Sequence, residues 1–376
     1  MKLSAVRFPL LLFLVLWLGI WGWMRLVIGI YPSLLTPDPV LRPYYVTPVK
    51  NAWLAVWQRW DAPHYQAIAE RGYEAFPTAL FTPPLYPFLM RLLSPFFGGT
   101  LLAGIFVAAI AYAIGLVLFY QLARLELSQE QAARRALIYL MLFPTAFFFF
   151  APYTESLFLL GSVGAMLALR RKEWLRAGLW GSLAAASRLP GALIVIPLSW
   201  AAFGERNDGQ TLRRGMSVLL PLLAALSFPF FAWLGLGKSF WAPFQAQSAR
   251  FHGTFTWPGW NILVTVSQIF SGEYPLPNFV DLVFTILFVA YAVPVWKRLP
   301  RVYGIYYLSF LALYLTRIAA VYPLLSMPRY VLSLFPAFFV MAQQGSNLRI
   351  HRLILYAFST MLLFFSGQFA IWGWVG

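Results

Sequence analysis

The sequence predicts an all-α, polytopic membrane protein, and three observations carry that prediction. Hydrophobic residues make up 61% of the chain, aromatics 19% and charged residues only 11%, too little polar surface for an ordinary soluble domain. Several apolar runs approach or exceed the ~20 residues that cross ~30 Å of hydrocarbon. Short segments rich in Lys and Arg recur between those runs, as cytoplasmic loops do. At 376 residues the chain reads as one membrane domain, 1–376. The net charge of +16 follows from the loop charges, so no nucleic-acid partner is expected. The absence of cysteine excludes disulfides, thiolate metal sites and Cys nucleophiles.

Taken in order, the first apolar run is Phe8 to Ile30, behind Lys2 and Arg7. It is too long for a signal-peptide core and no small-residue cleavage site follows it. It reads as a retained span with a cytoplasmic N-terminus. Arg124–Arg135, Arg170–Arg176, Glu205–Arg214, Lys297–Arg301 and Arg349–Arg352, with Lys2 and Arg7, hold 17 of the 28 Lys and Arg. They mark the inner face of a multi-pass protein of the cell membrane. Spans are expected near 8–30, 101–123, 134–151, 153–170, 215–236, 279–296, 302–320, 329–343 and 353–374. The segment 174–203 is about 30 residues long and has basic, cytoplasmic-looking flanks at both ends, so a single crossing would break the parity of the spans. A pair of short helices bent at Ser187-Arg188-Leu189-Pro190-Gly191 resolves this, giving about eleven crossings. Residues 31–100 then form a first extracytoplasmic loop. Within it, 81–97 and 49–71 are expected as interfacial helices lying along the membrane. Residues 237–278 form a second large outer loop.

The ionisable residues outside the basic loops gather at the outer face: Asp61, His64, Glu70, Glu155, Arg188, Arg250, His252 and Arg329. Polar groups at membrane depth are costly and suggest function, yet each has a plainer role. Asp61 precedes Ala-Pro and suits a helix cap. Glu155 suits a first-turn acid facing the helix dipole. Glu70 suits a solvated interface charge, and His64 and His252 hydrogen-bonded scaffold. Arg188, Arg329 and Arg250 (in Gln247-Ser248-Ala249-Arg250-Phe251-His252) have no acidic neighbour in sequence. Several arginines facing one site suggest an anionic ligand, whose oxygens the guanidinium fork matches. Beside an outer membrane surface that ligand is a lipid phosphate. One carboxylate with several such arginines is what an inverting group transfer needs: the carboxylate takes the acceptor proton and the cations hold the leaving phosphate. Trp60, Tyr65, Tyr86, Tyr153, Trp257 and Tyr330 either stack on sugar and lipid or pack, and Gln247 is a binding candidate beside Arg250. There is no HExxH, GxSxG, P-loop or Asp-x-Asp pair, so no cofactor is indicated and a divalent metal is disfavoured.

Arg59-Trp60-Asp61-Ala62-Pro63-His64-Tyr65, with Ile68-Ala69-Glu70 and Gly72-Tyr73, resembles the signature of the GPI mannosyltransferase 2 (PIG-V) family and its prokaryotic relatives. Pro83-Pro84-Leu85-Tyr86-Pro87, Pro152-Tyr153-Thr154-Glu155-Ser156-Leu157-Phe158, Ser187-Arg188-Leu189-Pro190-Gly191 and Met327-Pro328-Arg329-Tyr330 with Phe335-Pro336 are similar to its later motifs, in family order. The departures are Thr82-Pro83 in place of two aromatics and Ser-Arg-Leu in place of Thr-Arg-Pro. The resemblance implies a GT-C fold and a polyprenyl- or dolichyl-phosphate sugar donor, commonly mannose. It also implies transfer on the extracytoplasmic side to a glycolipid or glycan, with Asp61 as the base. Another polyprenyl-phosphate hexose, or a non-enzymatic lipid transporter or scaffold, stands as the alternative.

Overall fold

The computed structural model describes residues 4–35, 45–204, 210–273, 275–373 and 375. Lys2 and the Glu205 end of the third basic loop lie outside the described residues. So does part of the first outer loop.

The chain is helical almost throughout. α1 (Ser4–Ile30) leads to three helices, α2 (Ala52–Ala55), α3 (Ala62–Arg71) and α4 (Leu85–Phe97), before α5 (Thr100–Glu126). α4 falls on the helix expected at 81–97, whereas the one expected at 49–71 is divided into α2 and α3 by a turn between Ala55 and Ala62; α3 and α4 pack against each other and on α5. α6 (Glu130–Leu142), α7 (Glu155–Arg170), α8 (Trp174–Ser187), α9 (Val195–Gly204) and α10 (Thr211–Phe230) follow. The second half holds α11 (Ala242–Phe251), α12 (Trp260–Ser271), α13 (Pro275–Arg298), α14 (Arg301–Thr316), α15 (Met327–Tyr330), α16 (Pro336–Gln344) and α17 (Leu348–Ala370).

Among the described residues, five helices are long and apolar enough to cross a membrane: Val6–Ile30, Thr100–Glu126, Thr211–Gly235, Leu276–Arg298 and Leu348–Ala370. The expected eleven crossings are therefore not confirmed. The other six fall on α6, α7, α8, α9, α14 and α16, which have 9 to 16 residues. The physical reason is that apolar sequence runs on through points where the helix stops. The span expected at 134–151 ends as a helix at Leu142, before Pro144. The one expected at 329–343 divides into α15, which ends at Tyr330, and α16, which starts at Pro336, with a 3-10 turn over Val331–Ser333 between them. The bend at 187–191 is present: α8 ends at Ser187, and a 3-10 turn over Leu189–Ile194 feeds α9.

The core lies around α7, which is buried from Glu155 through Leu169, as a helix apolar on all sides must be. Small residues let α8 approach it. A Cβ on Gly161 would sit 2.4 Å from the Ala184 nitrogen, and one on Gly164 would sit 2.6 Å from the Trp180 ring. Phe143 packs edge-on against Phe284, Phe288, Phe338 and Phe358, which ties α13, α16 and α17 together. One departure from an all-α chain positions the site. β1 (Gly253–Phe255) pairs antiparallel with β2 (Arg317–Ala319), in the register Gly253↔Ala319 and Phe255↔Arg317.

Candidate active site

Asp61 sits at the start of α3, where the chain turns sharply. Trp60 has a positive φ of 53°, which a bulky side chain adopts only under constraint. The constraint is visible. The Tyr153 hydroxyl donates to the Arg59 carbonyl at 2.9 Å and accepts from the Asp61 N–H at 3.1 Å. Arg59 in turn donates to the Ala370 carbonyl at the end of α17. The Asp61 carboxylate makes no capping bond, so the cap explanation fails. It faces Arg329 at 2.8 Å through one oxygen and Arg250 at 3.0 Å through the other. Burial pushes this carboxyl up, but Arg329 and then Arg250 outweigh burial and hold it ionised, well below the usual carboxylate range.

A second carboxylate lies behind the first. Glu155 opens α7 in the expected first-turn position and is 3% exposed. Its Oε1 lies 3.3 Å from Arg188 Nη1 and 3.4 Å from Arg329 Nε, while its Oε2 has no hydrogen-bond partner. The arginines that have no acidic neighbour in sequence are thus ion-paired in space, Arg329 to both carboxylates at once. Arg188 is extended between α8 and the 3-10 turn and stacks on Phe158 and Tyr330. Gly191 holds it there: its N–H returns to the Arg188 carbonyl at 2.8 Å, and a Cβ would lie 2.0 Å from the Ala184 carbonyl oxygen. Arg329 is fixed by the single turn of α15, whose Pro328 carbonyl accepts from Thr145 at 2.6 Å.

These groups border a cavity of about 300 Å³ lined by Asp61, Tyr65, Thr154, Arg188, Gln247, Ser248, Arg317, Arg329 and Tyr330. Its remaining wall is largely apolar, with Phe81, Leu189, Pro190, Leu193, Phe244, Phe255 and Leu313. Arg250 supports it from behind, over the Phe81 ring. Of the other candidates, Tyr153 and Tyr86 are fully buried; Tyr153 positions Asp61, and Tyr86 donates to the Gly104 carbonyl. His64 packs among Tyr45, Phe76 and Phe81, with Nδ1 2.9 Å from the Trp60 carbonyl oxygen. Burial, then the charge of Arg250, holds its pKa down at about 3, so it is neutral at physiological pH. Glu70 is exposed and accepts from Thr100 at 2.7 Å. His252 is exposed, in a left-handed turn after α11. Neither Glu70 nor His252 lines the cavity.

Arg317 escapes a reading of the sequence. It follows an apolar stretch without a recognisable motif, and only its pairing opposite Phe255 brings it to the cavity. Its Nη1 donates to the Tyr330 hydroxyl at 2.6 Å, and its buried Nη2 has no partner. Among the described residues, no three His, Asp or Glu side chains converge as metal ligands.

A family model described as Mannosyltransferase (PIG-V) matches residues 5–203, more than half of the chain. The chain belongs to that family. The PIG-V match covers Asp61, Glu155 and Arg188, whereas Arg250, Arg317 and Arg329 come from the part of this PIG-V family member that follows it. Among solved structures, ArnT from Cupriavidus metallidurans bound to undecaprenyl phosphate is similar. The identity is 12%, over 94% of this chain and 77% of that one, with a TM-score of 0.48. No curated protein matches. As a PIG-V family member the protein is a multi-pass membrane glycosyltransferase, and its helical architecture accords with the GT-C fold expected from the motifs.

Proposed function

We propose that the protein is an inverting mannosyltransferase that moves mannose from a polyprenyl- or dolichyl-phosphate donor to a glycolipid or glycan on the extracytoplasmic side. The N-terminus is assigned to the cytoplasm and the whole chain to one catalytic membrane domain. The observation that carries this reading is a buried carboxylate, Asp61, at the wall of a cavity in which arginines outnumber acids.

In one displacement the acceptor hydroxyl attacks the anomeric carbon from the side opposite the phosphate. The bond between that carbon and the phosphate oxygen breaks, and the bonding pair leaves with the prenyl phosphate. The hydroxyl proton passes to Asp61. Arg188 and Arg329, with Arg250 beside them, hold the charge that grows on the leaving phosphate. This assigns the electrostatic work to guanidinium groups and none to a metal. Glu155, paired to Arg188 and Arg329, orients those arginines. The apolar wall accommodates the start of the prenyl chain.

The test is sugar transfer by purified protein in lipid, with a panel of polyprenyl-phosphate hexoses and candidate acceptors, for wild type and Asp61→Asn. Turnover with the mannose donor, reduced about 10²–10⁴-fold in the variant, is expected. Near-normal turnover by Asp61→Asn rules out the assigned base, and turnover with another hexose alone rules out mannose.

A further inference from the structure

The guanidinium groups around the cavity are not equivalent. Arg250 gives an Nη2 to one Asp61 oxygen and Arg329 gives an Nη1 to the other. Both are therefore occupied by an internal anion. Arg188 leans on Glu155. Arg317 alone of the four has no carboxylate partner among the described residues. It rests on a phenol, with Nη2 buried and unpaired. Four guanidinium groups face two carboxylates, an excess of two positive charges. A donor phosphodiester carries one negative charge, and a phosphate monoester about two. The surplus thus matches the leaving group better than the donor, as an active site complementary to the transition state requires.

We propose that Asp61 is an internal competitor for the donor phosphate. The phosphate anchors first on Arg317 and then displaces the Asp61 carboxylate from Arg250 and Arg329. This rests on the donor assigned above. The guanidinium fork suits carboxylate and phosphate equally, and a fork that already donates to a carboxylate gives fewer bonds to a phosphate. Once displaced, Asp61 keeps its burial and loses its nearest cations, which makes it a stronger proton acceptor only when a donor is bound. Tyr330 belongs to the same device. It carries Arg317 on its hydroxyl and is adjacent in the chain to Arg329, so phosphate arriving at one guanidinium is placed close to the next.

The experiment is titration calorimetry of a short-chain prenyl phosphate, with no sugar attached, on detergent-purified protein. Asp61→Asn is expected to bind it roughly tenfold more tightly than wild type or better, the scale of close charge pairs at interfaces, although it cannot turn over. Arg317→Ala is expected to weaken binding by a similar factor. Glu70→Gln, whose carboxylate is outside the cavity, leaves binding unchanged and controls for a general gain of positive field. Equal or weaker binding by Asp61→Asn overturns the competition, and unaltered binding by Arg317→Ala overturns the anchor. Should Asp61→Asn not fold, Asp61→Ser takes its place with the same expectation of tighter binding, and equal or weaker binding overturns the idea. Absence of binding by every form overturns this inference and the donor assignment together. Transfer activity in the wild type without tighter binding by Asp61→Asn removes this inference alone.

Discussion

Replacing Arg329 with methionine keeps most of the side-chain volume and removes one cation from between two buried carboxylates. The Arg329 side chain is 7% exposed, Asp61 12% and Glu155 3%, so solvent supplies little compensation. Breaking a buried ion pair by removing one partner costs about 3–5 kcal/mol. The lower end applies because Arg250 still faces Asp61. The loss has a pH signature. In the wild type the Asp61 pKa is held below its ordinary 3.8 because Arg329 and Arg250 outweigh burial. That pairing contributes stability above the unfolded pKa and loses it as pH falls through the folded one. In Arg329→Met burial meets less opposition, so the carboxyl protonates at higher pH and the variant recovers part of its deficit in acid. Melting temperatures in detergent at pH 7 and pH 4 measure this. The expected result is a variant well below wild type at pH 7 with a narrower gap at pH 4. A variant as stable as wild type at pH 7, or a gap unchanged between the two pH values, refutes the reasoning.

Other predictions follow from the same geometry. Tyr153→Phe leaves the buried Asp61 N–H and Arg59 carbonyl without their shared partner, at about 1–3 kcal/mol; kcat should fall with little change in KM for the donor, and a change confined to KM would contradict the positioning role. Gly191→Ala forces a Cβ against the Ala184 carbonyl oxygen 2.0 Å away, so a stability loss of about 1–3 kcal/mol and weaker donor binding through Arg188 are expected in melting and binding assays. His64 stays neutral down to about pH 3, while the unfolded chain protonates near 6.5, so His64 costs the fold stability as pH falls below 6.5. It adds no titration to the activity profile between pH 7 and 8, and His64→Gln should leave that profile's shape unchanged.

The fold class was legible because membrane solvent imposes a coarse rule that composition reports directly. The helices near the site were legible too, and so was the break at Ser187–Gly191, since Pro and Gly act locally. The crossing count was not. Hydropathy runs through Leu142, Thr316 and Tyr330, where backbone geometry stops the helix. Asp61, Glu155, Arg188 and Arg329 carried motif signals, but their pairing did not. An ion pair such as Arg329–Asp61 spans 268 positions and leaves no periodicity behind. Arg317 was invisible because its access to the cavity depends on a three-residue strand pair closed between two distant loops.

The order in which these charges leave the ribosome has a consequence of its own. Asp61 and Glu155 are made early, Arg250 later, and Arg317 and Arg329 close to the end. Arg59 is tied by its guanidinium to the carbonyl of Ala370, at the end of the last helix. During N-to-C synthesis the acids therefore wait without most of their counter-charges while the early helices insert. A chain stopped before Arg329 lacks the guanidinium that pairs with both carboxylates, so the ion-paired cluster closes only when the end of the chain arrives.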